Sequence, residues 1–306
     1  MTVRIRRRSR GSNDKPALVL EGGGYRGIFT AGVLDVLLES GIYTSSFKSA
    51  WGVSAGALNA VSYRSRQIGR TMRIMLTFRD DPRMMSLLSL VRTGNLAGTD
   101  FMYDEVQNHI DPCDLEVFDN DLTPMYFVAS DVLFGAPAYL AVEGERLDAT
   151  KARASASLPG VSTMVEIDGH RYLDGGTTDS IPFAVAMGLD GAPEVSGAEP
   201  ADRALVVLTQ DRTYIKDGAT ERAILRTHRY DAYPYYEQAL ATRADRYNAQ
   251  REELAGLEAE GRALVLRPPE PVKIHTSEHN GEPLLRLYLQ GRQEAASHLD
   301  EIRAFL

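Results

Sequence analysis

A serine between two glycines is the first candidate for chemistry in this chain of 306 residues. Ser54 lies in the run Gly52-Val53-Ser54-Ala55-Gly56, after an apolar stretch and before a sequence of helical pattern. Such a run is typical of a sharp turn between a strand and a helix, because residues without Cβ tolerate unusual backbone angles and close neighbouring chain. The pattern predicts that the Ser54 hydroxyl projects into a cleft, with the positive end of the following helix beneath it.

A serine hydroxyl becomes a strong nucleophile only when a neighbouring base accepts its proton. None of the six histidines lies in a glycine-shaped loop; His170 is four residues before another candidate, Asp174. Asp174 follows a predicted strand and precedes two glycines, so its carboxylate can reach a cleft at the end of that strand. From the residues alone, an ordinary Asp-Gly-Gly turn remains an equal alternative.

Consecutive glycines after the first predicted strand form the third candidate. Gly22, Gly23 and Gly24 precede Tyr25 and Arg26, and such a loop lets backbone N–H groups converge on a phosphate or an oxyanion. The run also matches Gly-x-Gly-x-x-Gly, which in dinucleotide-binding proteins requires an acidic residue about 20 positions later, at the end of the second strand. The second strand here leads into the Ser54 turn instead, which disfavours a dinucleotide cofactor.

The elements around these candidates predict an α/β protein that opens as a βαβ unit. Short apolar runs typical of buried strands alternate with helical patterns, and Asp168-Gly169 marks a hairpin turn. We also expect the last helical segment to be broken near Gly291. The predicted strands cover 17–20, 47–51, 124–131, 136–142, 164–167, 170–173, 205–208 and 263–266.

Composition limits the classes of partner and compartment. The formal net charge of −8 argues against a general nucleic-acid binder, and the single Cys113 excludes an intramolecular disulfide and fits a reducing compartment. No run approaches the 18 apolar residues of a membrane-spanning helix. We expect residues 1–14 to be a flexible, solvated basic tail. Its attraction to anionic lipid headgroups is the alternative, and membrane contact and oligomeric state both stay open.

Four blocks of sequence together resemble the patatin-like phospholipases, in particular their bacterial, cytoplasmic branch. The later part of the chain resembles, more loosely, the C-terminal extension of one bacterial subgroup. The four blocks occur in the family's order: Glu21-Gly22-Gly23-Gly24-Tyr25-Arg26-Gly27, Gly52-Val53-Ser54-Ala55-Gly56, Ala154-Ser155-Ala156-Ser157-Leu158-Pro159 and Asp174-Gly175-Gly176.

The resemblance implies a three-layer α/β sandwich whose mostly parallel central sheet is flanked by helices. It implies a catalytic domain over 15–215 and a mainly helical C-terminal extension over 216–306, packed on the same domain. Neither a metal nor another cofactor is expected. The implied substrate is a phospholipid or another lipid acyl ester, and the implied location is the cytoplasm.

The resemblance also implies roles for the candidate residues. Ser54 would be the nucleophile and Asp174 its base, a dyad that needs no histidine. Gly52 and Gly56 would shape the serine turn. The N–H groups of Gly22, Gly23, Gly24, Tyr25 and Arg26 would form the oxyanion hole. Glu21 stands where the family often has Asp, a departure that we expect to matter little.

Two other functions stay open at this stage. The chain could be a lipid- or acyl-binding regulatory protein with little turnover, although the intact Ser54, Asp174 and glycine loop argue against loss of catalysis. It could also be an esterase in which one of the six histidines completes a Ser-His-Asp triad.

Overall fold

The computed structural model describes residues 15–81, 83, 101–142, 149–274 and 278–306. The basic tail predicted over 1–14 therefore lies outside the described residues. Within the described ranges, none of the helices combines the length and the apolar character that crossing a bilayer requires.

The centre of the molecule is a mixed sheet in which the described residues contribute eight strands. Their order is β5-β6-β3-β2-β1-β7-β8, and β4 pairs with β3. β1, β2, β3, β7 and β8 run parallel, whereas β4, β5 and β6 form antiparallel pairs. The strands are β1 Ala17–Leu20, β2 Ala50–Val53, β3 Met125–Asp131, β4 Ala136–Val142, β5 Val165–Ile167, β6 His170–Asp174, β7 Ala204–Val207 and β8 Ala263–Leu266.

Helices and helical turns connect and cover these strands. Short 3-10 turns lie at Gly24–Gly27, Thr44–Ser46 and Gly175–Thr177, and a π-helical segment covers Phe101–Ile110. The α-helices are α1 Ile28–Glu39, α2 Ala55–Arg64, α3 Arg70–Phe78, α4 Leu115–Asn120, α5 Ala149–Ala156, α6 Phe183–Met187, α7 Ala219–Leu225, α8 Pro234–Ala241, α9 Arg243–Ala259, α10 Gly281–Ser297 and α11 Leu299–Phe305.

The sheet is buried on both faces, which explains why its central strands are continuous apolar runs. Because successive strand side chains point to opposite faces, Leu18 and Leu20 pack with α1, α2 and α10, whereas Val19 packs on the other face with α6 and α9. The predicted three-layer α/β class with a mostly parallel sheet is thus confirmed.

The predicted helix break near Gly291 is wrong, because α10 continues from Gly281 to Ser297. The glycine serves packing instead. A Cβ at Gly291 would lie 2.1 Å from the carbonyl oxygen of Phe29, and a Cβ at Gly32 would lie 2.2 Å from that of Tyr288. Both glycines therefore let the backbones of α1 and α10 approach each other closely.

The C-terminal region shares the core of the sheet. β8 pairs in parallel with β7 along its whole length. The hydroxyl of Tyr288 in α10 also donates a hydrogen bond of 2.7 Å to the buried carboxylate of Asp35 in α1. The residues after 215 thus pack against the strands and helices before them, while the boundary at 215/216 stays a prediction.

Candidate active site

Ser54 lies on the turn between β2 and α2, in a backbone conformation that L-residues rarely adopt. Its φ is 53° and its ψ is −121°, and its side chain is buried. Backbone strain of this kind costs on the order of 1–3 kcal/mol and persists where the surroundings enforce it. The neighbouring glycines permit the turn: a Cβ at Gly52 would lie 2.6 Å from Ala57 Cα, and one at Gly56 would lie 2.3 Å from Leu20 O.

Asp174 ends β6 and caps the following 3-10 turn. Its Oδ1 accepts a hydrogen bond of 2.8 Å from the N–H of Gly176. Its Oδ2 is buried and, among the described residues, has no hydrogen-bond partner of ordinary geometry.

The environment of Asp174 moves its pKa in opposing directions. Burial raises the pKa above its usual value and is the largest cause. The Ser54 hydroxyl, the positive charge of Arg243, the N–H of Gly176 and the charge of Lys216 each lower it, in that order of size. The net pKa is raised, which suits a carboxylate that must accept a proton.

The third sequence block positions both candidate residues. The Ser155 hydroxyl accepts a hydrogen bond of 2.9 Å from the N–H of Ser54 and donates one of 2.6 Å to the carbonyl of Val128. The carbonyl of Ser157 accepts a hydrogen bond of 2.7 Å from the N–H of Asp174. Sequence reasoning assigned no role to these serines, since their partners are distant in the chain.

The glycine loop lies directly against the serine turn. A Cβ at Gly22 would come within 2.9 Å of Ser54 Cβ, and Gly24 has a φ of 56° that favours glycine. The N–H groups of Gly23, Gly24 and Tyr25 stand at the start of a helical turn, where backbone donors have no intrahelical acceptor. Arg26 is different. Its N–H donates to the Gly23 carbonyl at 3.2 Å, which removes Arg26 from the predicted set of oxyanion donors.

Glu21, which precedes the loop, has a role that sequence reasoning missed. Its carboxylate is 3% exposed and accepts a hydrogen bond of 2.6 Å from the Tyr247 hydroxyl. It also accepts hydrogen bonds from the N–H and the hydroxyl of Thr209, and that hydroxyl lies 3.0 Å from the Gly22 carbonyl. Glu21 therefore ties the glycine loop to the end of β7 and to α9.

A cavity of about 490 Å³ joins these elements. Ser54, Asp174 and the glycine loop lie on its wall. Its lining includes apolar residues and three cationic ones. The apolar residues are Leu158, Pro159, Val161, Ala223 and Ile224, and the cationic residues are Arg26, Lys216 and Arg243.

The histidines that the structure describes lie away from this cavity. None of the five that the structure describes lines the cavity. His170, the closest in sequence to Asp174, has its Nδ1 2.7 Å from Oδ2 of Asp131 and is thereby turned to another carboxylate. His275 lies outside the described residues. In the same ranges, no three His, Cys, Asp or Glu side chains cluster as metal ligands would.

Comparison with known proteins shows relatives of this chain. Escherichia coli K12 YjjU, an uncharacterized protein, is 34% identical over 176 residues, which are 56% of this chain and 48% of YjjU. The uncharacterized NTE family protein Rv1063c of Mycobacterium tuberculosis H37Rv is 30% identical over 204 residues, or 63% and 52% of the two chains. The chain thus spans about half the length of the curated relatives it matches.

Among solved structures, VipD from Legionella pneumophila aligns with a TM-score of 0.46 and 14% identity, over 94% of this chain and 67% of VipD. Two family models match separate parts of the sequence. A domain of unknown function, DUF6363, matches residues 233–306, and the model of the patatin-like phospholipases matches residues 18–187. Because the match to the patatin-like phospholipase model covers more than half of the sequence, this chain belongs to that family.

Proposed function

We propose that this protein is a serine acyl hydrolase that cleaves lipid acyl esters with Ser54 and Asp174 as its catalytic dyad. One observation carries the proposal. The strained Ser54 turn, the buried Asp174 carboxylate and the glycine loop all face the same cavity. A nucleophile, a base and an oxyanion site within one cavity are the parts that acyl transfer requires.

The chemistry proceeds in two halves. Asp174 accepts the Ser54 proton while Oγ attacks the ester carbonyl, and the N–H groups of the glycine loop stabilise the resulting oxyanion. These donors come from Gly22, Gly23, Gly24 and Tyr25. Collapse releases the alcohol, which takes the proton from Asp174, and leaves an acyl ester on Ser54. Water then attacks this ester as Asp174 accepts its proton, and the acid leaves as Ser54 is reprotonated.

The substrate class follows from the cavity wall. Its volume of about 490 Å³ lies within the range of small-molecule sites, and its apolar lining residues suit a hydrocarbon chain. A phospholipid or another lipid acyl ester combines such a chain with a cleavable ester. A cytoplasmic location is part of the proposal, supported by Cys113 as the lone and buried cysteine of the chain. Contact with a membrane surface would bring such a substrate to the cavity.

The proposal is tested with Ser54→Ala and Asp174→Asn on a short-chain nitrophenyl ester. We expect each variant to lose about 10,000-fold or more in kcat/KM, since a serine hydrolase acts through its nucleophile and base as a unit. A fluorophosphonate probe should label the wild type and not Ser54→Ala. Near-wild-type turnover of either variant would show that the dyad is wrong.

The exposed Ser45 gives the matched control. Ser45→Ala should keep full activity and full labelling. A folded wild type that neither labels at Ser54 nor turns over esters would instead favour a lipid-binding protein. Mass spectrometry of the products from a mixed lipid extract then identifies which acyl bond is cut.

A further inference from the structure

Arg243 begins α9, in the segment that matches the domain of unknown function, yet its side chain reaches the turn that carries Asp174. Its Nε donates a hydrogen bond of 2.5 Å to the carbonyl of Gly176. The N–H of the same Gly176 donates the 2.8 Å hydrogen bond to Asp174 Oδ1. One glycine thus connects the guanidinium to the carboxylate.

The side chains of Asp174 and Arg243 both lie close to Gly176. A Cβ at this position would lie 3.0 Å from Asp174 Oδ1 and 3.1 Å from Arg243 Nη2. Opposite charges influence each other strongly within about 4–6 Å. The guanidinium therefore acts on Asp174 both through the turn and through its charge.

The guanidinium is itself held in place. Its Nη1 donates a hydrogen bond of 2.9 Å to Glu221 Oε1, and Glu221 is 2% exposed. The ammonium of Lys216 lies 3.4 Å from the same oxygen. Glu221 in α7 thus anchors two cations at the wall of the cavity.

We propose that Arg243 is a positioning residue for the catalytic base. Arg243 fixes the Asp174 turn and supplies the positive charge that keeps this carboxylate ionised. The inference rests on the proposed function. It gives the C-terminal segment a part in catalysis, because the patatin-like match ends at residue 187 and Arg243 lies beyond it.

Several groups from other elements face Asp174, and Arg243 has the largest effect among their charges. Burial raises the pKa of both tyrosines in this group, so neither tyrosine brings a charge at neutral pH. The groups are Ser54 from the β2–α2 turn, Lys216 from the loop after β7, Tyr236 from α8 and Tyr103 from the π-helical segment.

The test is the pH dependence of kcat/KM for two substitutions. Arg243→Gln removes the charge, so the Asp174 pKa should rise and the acid limb of the profile should move up by about one pH unit or more. Arg243→Lys keeps the charge but cannot hold Gly176 and Glu221 together. It should keep the acid limb near its wild-type position while kcat falls about 10- to 100-fold.

Glu221→Gln should move the acid limb of the pH profile in the opposite direction. Loss of the anionic neighbour leaves Arg243 and Lys216 uncompensated beside Asp174, so the acid limb should move to lower pH. An acid limb that stays at its wild-type position in Arg243→Gln, or that does not move down in Glu221→Gln, overturns the proposal. If Arg243→Gln does not fold, Arg243→Lys and Glu221→Gln decide the question.

Arg222→Gln is the matched control, because Arg222 is exposed and its Nη1 donates to the Asp217 carbonyl, away from the catalytic turn. Its profile should overlay the wild type. The same assay includes Ser54→Ala to separate two kinds of failure. Activity in Ser54→Ala would refute the proposed function, whereas an unshifted Arg243→Gln beside an inactive Ser54→Ala would refute only the role of Arg243.

Discussion

Asp174, the proposed catalytic base, lies in an unfavourable environment for a charge. The carboxylate is 3% exposed, and one of its oxygens lacks a well-aligned donor among the described residues. Burial of a charge without full hydrogen bonding costs stability, and the raised pKa of Asp174 expresses this cost. The residue is therefore expected to favour activity at the expense of folding free energy.

Asp174→Asn should stabilise the fold at neutral pH while it abolishes turnover. A folded-state pKa above the unfolded value means that the native protein binds more protons, so stability falls as pH rises through that interval. Each unit of difference corresponds to about 1.4 kcal/mol. The neutral amide avoids this loss and still offers an oxygen to Gly176. Urea denaturation at pH 7 measures the gain in the free energy of unfolding.

The same measurement at lower pH is the internal control. As the pH approaches the ordinary aspartate range, Asp174 becomes protonated in the native protein, and the two free energies of unfolding should converge. An Asp174→Asn protein that is less stable than the wild type at pH 7 would contradict this view of the residue.

At the scale of elements, the sequence was informative where a feature is local. The glycines around Ser54, the two glycines after Asp174 and the apolar strands are short patterns with direct physical meaning, so they indicated the turns and the sheet. The ties between elements are not local. Ser155 contacts Ser54 across 101 positions, and Tyr247 contacts Glu21 across 226. Periodicity and spacing carry no information about such contacts.

The Glu21–Tyr247 hydrogen bond leads to a prediction at this scale. Tyr247→Phe removes one donor from a buried carboxylate that holds the glycine loop, so the proposed oxyanion donors should lose their alignment. We expect kcat to fall about 10- to 100-fold and the free energy of unfolding to fall by about 1–3 kcal/mol. Steady-state kinetics and urea denaturation measure the two effects.

Tyr288→Phe is the control for this substitution. The Tyr288 hydroxyl also donates to a buried carboxylate, that of Asp35, but it joins α10 to α1 away from the cavity. The two variants should lose similar stability, and only Tyr247→Phe should lose kcat. Equal kcat values for the two would mean that the Glu21 contact does not position the loop.

At the scale of the whole molecule, the C-terminal region is part of the fold in three places. β8 extends the sheet beside β7, α10 crosses α1 at close range, and α9 brings Tyr247 and Arg243 to the cavity. The two family models divide the sequence between residues 187 and 233. The hydrophobic core is continuous across this division. Weakening the contact between α1 and α10 should therefore destabilise the entire protein.

Gly291→Ala tests that continuity. The added methyl group would lie 2.1 Å from the Phe29 carbonyl oxygen, against backbone that cannot move aside cheaply. The helices must separate, and we expect the free energy of unfolding to fall by about 1–3 kcal/mol or more, in one cooperative unfolding transition.

Gly256→Ala is the matched control, since Gly256 lies inside α9 with no atom within 4 Å of its Cβ position. That variant should be stabilised by about 0.5–1 kcal/mol, because alanine loses less conformational entropy in a helix. Thermal unfolding followed by circular dichroism and by loss of esterase activity distinguishes the outcomes. If Gly291→Ala melted in two separate steps, with activity surviving the first, the C-terminal region would be an independent unit rather than part of the catalytic core.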